Sequence, residues 1–97
     1  MTTQSETLIL RAIRAYLVQF GWLVIRLQQG LGCRAGLSDL VAIRDGKHLW
    51  LEVKTATGRQ SDAQLAFEHE LAAHGAEYHL VRSVADVALL SQDGVLL

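Results

Sequence analysis

The stretch from Gly36 to Lys54 restricts most strongly what this chain can fold into. Asp45-Gly46 is a strong hairpin signal, because both residues tolerate positive φ and a two-residue turn of that kind suits the twist of its flanking strands. Asp39–Arg44 enters the turn and Lys47–Lys54 leaves it. Strand side chains alternate between faces, so Leu49, Leu51 and Val53 share one face while Trp50, Glu52 and Lys54 share the other. Asp39, at the start of the partner strand, is expected to reach the same side as Glu52. A carboxylate set between Leu51 and Val53 is poorly solvated. Burying it uncompensated costs several kcal/mol, or else the group holds a proton. Two acids and a lysine converging at a strand end suit a hard divalent cation with oxygen ligands, Mg2+ foremost, with the lysine beside it.

The rest of the chain supplies layers for this hairpin. Residues from about Thr3 to Phe20 predict an amphipathic helix, with Ile9, Leu10, Ile13, Leu17 and Phe20 at helical spacing and Gly21 as its stop. Thr3 and Glu6 fit a capping box. Trp22–Leu27 predicts a short strand, and 28–37 a glycine-rich loop that lacks the Gly-Lys-Ser/Thr of a P-loop. Arg34 stands in that loop, free to meet a phosphate or simply solvent. After a second loop, Thr55–Gln60, Ser61 and Gln64 form another capping-box spacing. It opens a helix to about His74, with Leu65, Phe67, Leu71 and Ala72 as apolar surface. Glu77–Val81 predicts a last strand, Ser83 caps a short helix to about Leu90, and Asp93-Gly94 turns into Val95–Leu97. The four histidines show no metal spacing; His48 shares the face of Trp50 and Glu52 and is a candidate for the edge of the site.

Ninety-seven residues predict a single domain over 1–97, one that buries only ~60–65% of its unfolded surface. Yet 51% of the residues are hydrophobic, a surplus that points to self-association. No apolar run reaches the ~18 residues of a membrane span, the N-terminus lacks a basic signal-peptide start, and the single Cys33 excludes an internal disulfide. A cytoplasmic protein is expected. The net charge of −1 hides an asymmetry. Eight basic residues from Arg11 to Arg59 face three acids, two of which are Asp39 and Glu52. From Gln60 onward, Arg82 faces six acids. Such a distribution presents a phosphate-facing surface at near-zero net charge.

Asp39 followed by Glu52-Val53-Lys54 resembles the Asp…(Asp/Glu)-X-Lys signature of the PD-(D/E)XK, or restriction-endonuclease-like, nucleases. The flanks sharpen the match: Gly36-Leu37-Ser38-Asp39-Leu40, a hairpin, Glu52-Val53-Lys54, then Gly58 to Gln64 opening a helix that closes at Gly75. Together they resemble the VRR-Nuc branch, whose small stand-alone members are typical of phages and bacteria. Ser38 departs from the proline that many relatives carry before the aspartate.

The resemblance implies an α/β fold with an α-β-β-β-α-β(-α) core and a mixed sheet flanked by helices. It implies a divalent-metal-dependent DNA endonuclease using Mg2+ or Mn2+. Asp39 and Glu52 would hold the ion, with the Val53 carbonyl as a further ligand and Glu6 leaning in from the first helix. Lys54 would orient water and offset charge in the transition state, since an ordinary lysine pKa of ~10.4 makes a poor base. Gln64 would reach toward the site, although as a cap partner of Ser61 it has another use, just as Glu6 has with Thr3. Arg34, Arg59, Lys47 and Ser38 are the expected DNA contacts. Within 97 residues there is little room for a separate recognition domain, which favours reading DNA shape, as a Holliday-junction resolvase acting as a homodimer does. The alternatives are a flap or non-specific nuclease, a non-cleaving nucleic-acid-binding module, and a small oligomeric interaction protein.

Overall fold

The hairpin forms as its residues dictate: Asp45 and Gly46 both take positive φ, 51° and 80°. In the computed structural model, which describes residues 5–91, the elements are α1 (Glu6–Gln19), β1 (Leu23–Arg26), β2 (Leu40–Arg44), β3 (Lys47–Val53), α2 (Asp62–Ala73), β4 (Glu77–Val81) and α3 (Val84–Leu90). The order α-β-β-β-α-β-α is the expected one. The strands form one sheet in the order β1-β2-β3-β4. β1, β2 and β3 pair antiparallel, β2 and β3 through the two-residue turn and β1 and β2 through the longer loop 27–39, whereas β3 and β4 pair parallel. A parallel pair needs a crossover, and α2 supplies it.

Alternation along the strands gives the sheet two unlike faces. Leu40 and Ala42 of β2, Leu49, Leu51 and Val53 of β3 and Val81 of β4 face α1 and α3, where they meet Ile9, Leu10, Ile13, Leu17 and Val87. Ile13 and Leu17 are fully buried, and each such side chain contributes about 1.5–3 kcal/mol of burial free energy. The other face is only partly covered. α2 packs on β4 and buries Phe67 alone, edge-on to Trp50 at 5.9 Å and to Tyr78 at 6.4 Å between ring centroids. Leu65 and Ala72 are exposed rather than packed, because α2 lies over the β3–β4 side of the sheet. Leu23 and Ile25 of β1 are likewise exposed.

Helix ends show where local chemistry wins. Ser5 caps α1, its hydroxyl accepting from the Leu8 N–H, so Glu6 occupies the first turn, where a negative charge complements the helix dipole. The expected Thr3 half of a capping box lies outside the described residues, as do the Asp93-Gly94 turn and Val95–Leu97. Arg44, one of the eight basic residues between Arg11 and Arg59, has a structural use. Its guanidinium donates to the Phe20 and Ser91 carbonyls, which end α1 and α3, and stacks 4.6 Å from the Trp22 ring. A cation at a helix C-terminus is favourable, and here one serves two. The apolar surplus is spread over Leu8, Val18 and Phe20 near α1, Leu23 and Ile25 of β1, Leu31, Leu65 of α2 and Leu89 of α3. No helix among the described residues is long and apolar enough to cross a membrane.

Candidate active site

Asp39 and Glu52 meet one step beyond the Leu40–Leu51 pair that closes the β2–β3 ladder. The ladder continues through Asp39 on both sides: its N–H donates to the Leu51 carbonyl and its carbonyl accepts from the Leu27 N–H. Residues opposite one another in an antiparallel pair share a face at about 4.5–5.5 Å between Cβ atoms. Asp39 therefore faces Glu52, as alternation predicts. Its Oδ2 accepts from the Val53 N–H at 2.8 Å, which fixes the carboxylate across the strand end.

Glu52 is the unusual residue. It is a carboxylate only 2% exposed, on the face opposite Leu51 and Val53. Its Oε2 accepts from Gln64 Nε2 at 2.9 Å and lies 3.5 Å from Lys54 Nζ. Its Oε1 is buried and has no hydrogen-bond partner. Burial, reinforced by the neighbouring Asp39 charge and only partly offset by Lys54, pushes its pKa up to about 7. The lysine is held too, its side chain 13% exposed.

Gln64 answers two expectations at once. Ser61 and Gln64 complete a capping box, with Gln64 Oε1 accepting from the Ser61 N–H and the Ser61 hydroxyl accepting from the Gln64 N–H. The amide nitrogen of the same side chain is left to donate to Glu52. Cap and site contact are therefore one conformation, not alternatives. Nearby, Gln60 Nε2 donates to Glu68 Oε1 and to the Tyr78 hydroxyl, and burial pushes the Tyr78 pKa up to about 12.

The other expected residues are dispersed. Glu6 is exposed on α1, in the layer covering the opposite face of the sheet, and no hydrogen bond or ion pair joins it to Asp39, Glu52 or Lys54. Arg34 is turned onto α2, paired with Glu70 and lying 5.3 Å from the Phe67 ring centroid. Its loop is seated there by Gly36, at φ +79°, where a Cβ would fall 2.1 Å from the Ala63 carbonyl oxygen. Ser38 is fully buried with an unpartnered hydroxyl, so its side chain is closed to DNA. Lys47 begins β3, about 17 Å along the strand from Glu52, and His48 about 13 Å, at ~3.3 Å per residue. Arg59 is exposed in the loop after β3 and stays a candidate contact. Arg82 was not singled out by sequence, because its partners lie far from it along the chain.

Two facing carboxylates, one of them with a buried, unpartnered oxygen, fit a hard divalent cation. Among the described residues no cluster of three or more His, Cys, Asp or Glu side chains stands together. An ion here would rest on Asp39, Glu52 and neutral oxygens.

Neither family models nor curated proteins give a match to this sequence. Among solved structures, a chain described as a VRR_NUC domain superposes with a TM-score of 0.75 at 22% identity, covering 91% of this chain and 95% of that one. The protein has the fold of that domain, an α/β arrangement with a mixed four-stranded sheet flanked by three helices.

Proposed function

We propose that this chain, on the nuclease fold it shares, is a divalent-metal-dependent endonuclease that hydrolyses phosphodiester bonds in branched DNA. One observation carries the reading: Glu52, buried at a strand end, faces a second carboxylate, leaves one oxygen unpartnered and lies 3.5 Å from a lysine. Such a group costs stability unless a function retains it. Asp39 and Glu52 would hold Mg2+ or Mn2+, with the Val53 carbonyl beside them; Glu6, on the far side of the sheet, is left out of the ligand set. The ion, when bound, polarises a phosphate oxygen and lowers the pKa of water. Gln64 holds the Glu52 carboxylate in its orientation. Lys54 presents an ammonium where negative charge grows on the phosphate, an interaction stronger in the transition state than before it. Arg59 takes a flanking phosphate.

Exposed Leu8 and Val18 on α1 and Leu89 on α3 support a self-association surface. A two-fold dimer, the commonest soluble homo-oligomer, would set one Asp39–Glu52–Lys54 trio against each of two strands of a four-way junction. The test is incubation with labelled four-way junction, flap and linear duplex DNA, with and without Mg2+ or Mn2+, alongside sedimentation of the protein at micromolar concentration. Paired nicks in the junction by a dimer are expected. Cleavage by a clean monomer would replace the paired-site reading with a single-site flap or duplex nuclease. No cleavage of any substrate with either metal would leave a binding module.

A further inference from the structure

Lys54 is followed directly by a turn, and the turn is fastened by a residue that follows another strand. Arg82, just past the end of β4, donates from one guanidinium nitrogen, Nη1, to the Thr55 carbonyl at 2.6 Å and to the Gly58 carbonyl at 2.8 Å. The Thr55 carbonyl also accepts from the Gly58 N–H, which closes the turn. Among the described residues the guanidinium pairs with no carboxylate, so both of its short bonds go to this turn. Charge-assisted hydrogen bonds of this kind are about twice as strong as neutral ones. The anchor is itself anchored: the Arg82 N–H donates to Asp86 Oδ2, and the Lys54 N–H next door donates to the Val81 carbonyl.

The turn lies on the lysine. A Cβ built at Gly58 would stand 3.4 Å from Lys54 Cβ and Cδ and 3.1 Å from Thr55 Oγ1, so the backbone at Gly58 closes over the aliphatic stem. That cover accounts for a lysine side chain 13% exposed, with its ammonium 3.5 Å from Glu52 Oε2. A four-carbon stem otherwise has several rotamers to choose from, most of them ending in water.

We propose that Arg82 is a positioning residue for Lys54: by clamping the Thr55–Gly58 turn over the lysine's stem, it holds the ammonium against Glu52. It touches neither carboxylate and acts only through the turn. The inference deepens the nuclease reading, where Lys54 is the charge stabiliser, but its test does not need DNA cleavage.

The chain has two lysines, Lys47 and Lys54, at opposite ends of the same strand region, which supplies an internal standard. Full-length protein, without metal or DNA, is acetylated with limiting N-hydroxysuccinimide acetate, and the Lys54-to-Lys47 ratio is read by peptide mass spectrometry. Arg82→Ala is expected to raise that ratio about tenfold, a factor that corresponds to about 1.4 kcal/mol. Arg82→Lys, which keeps a charged donor, is expected to restore most of the protection. If Arg82→Ala does not unfold cooperatively, Arg82→Gln, with a neutral donor, replaces it and is expected to fall between the two. An unchanged ratio in a cooperatively folded Arg82→Ala or Arg82→Gln protein overturns the proposal, as does an equal rise at Lys47, which would mean general loosening. A chain that never cuts DNA leaves this readout intact, so failure of the nuclease reading and failure of the clamp are separately visible.

Discussion

Replacing Glu52 with Gln should stabilise the metal-free protein at alkaline pH and change little at acid pH. The native pKa is pushed up from 4.5 to about 7 by burial and by Asp39. A carboxyl group whose folded pKa is raised binds its proton more tightly in the native state than in the unfolded one. Its contribution is therefore fully present below pH 4.5 and is lost as pH rises through about 7. At about 1.4 kcal/mol per pH unit, that interval corresponds to about 3 kcal/mol by pH 8.5. Glutamine has the same shape, cannot ionise, and keeps an acceptor for Gln64 Nε2. Urea unfolding in EDTA, followed by the fluorescence of Trp22 and Trp50, should find wild type and variant within about 0.5 kcal/mol of each other at pH 4.5. At pH 8.5 the variant should lead by about 2–3 kcal/mol, or roughly 10 °C or more in Tm for a domain of this size. A variant less stable than wild type at pH 8.5, or a gap that does not widen with pH, would refute the picture of a carboxylate ionised against its surroundings.

Further outcomes follow from the same geometry. Mg2+ or Mn2+ should raise the wild-type Tm at pH 8 by mass action, and should fail to do so in Asp39→Asn or Glu52→Gln, as differential scanning fluorimetry would report. Arg59→Ala should lower the slope of log K against log salt for DNA binding by about one, whereas Arg34→Ala should leave it unchanged, because Arg34 is engaged with Glu70 and Phe67. Gly36→Ala should cost about 2 kcal/mol or more in chemical denaturation, since the side chain meets positive φ and the Ala63 carbonyl together.

What could be read from sequence was what strand alternation and turn chemistry fix locally. Asp45-Gly46 set the hairpin, the hairpin set the register, and the register brought Asp39 opposite Glu52. The Ser61 cap was legible for the same reason, being a contact three residues long. Ser5, which caps α1, was not singled out, because a run of candidate caps precedes the apolar stripe and sequence alone does not rank them. The arginines were illegible. A charged residue in a basic segment reads as phosphate-facing until its partner is known, and Arg34 and Arg44 find theirs in Glu70 and in two helix ends. Arg82, in the acidic part of the chain, gave no signal of its partners in the Thr55–Gly58 turn. The distance of Lys47 from Glu52 was not legible, because the two share a strand but Lys47 begins it. The burial of Ser38 was not legible either, because a small polar residue beside a site looks accessible.

The central claim is that Asp39 and Glu52 hold the metal that makes this fold a nuclease. Its most direct test is single-turnover cleavage of a labelled four-way junction in Mg2+ or Mn2+ by wild type and by Asp39→Asn, which keeps an acceptor for the Val53 N–H. Cleavage by wild type, none in EDTA, and a loss of at least about a hundredfold in Asp39→Asn are expected, the scale of removing one group that stabilises the transition state. Full activity in EDTA, or undiminished activity in a folded Asp39→Asn protein, would contradict it.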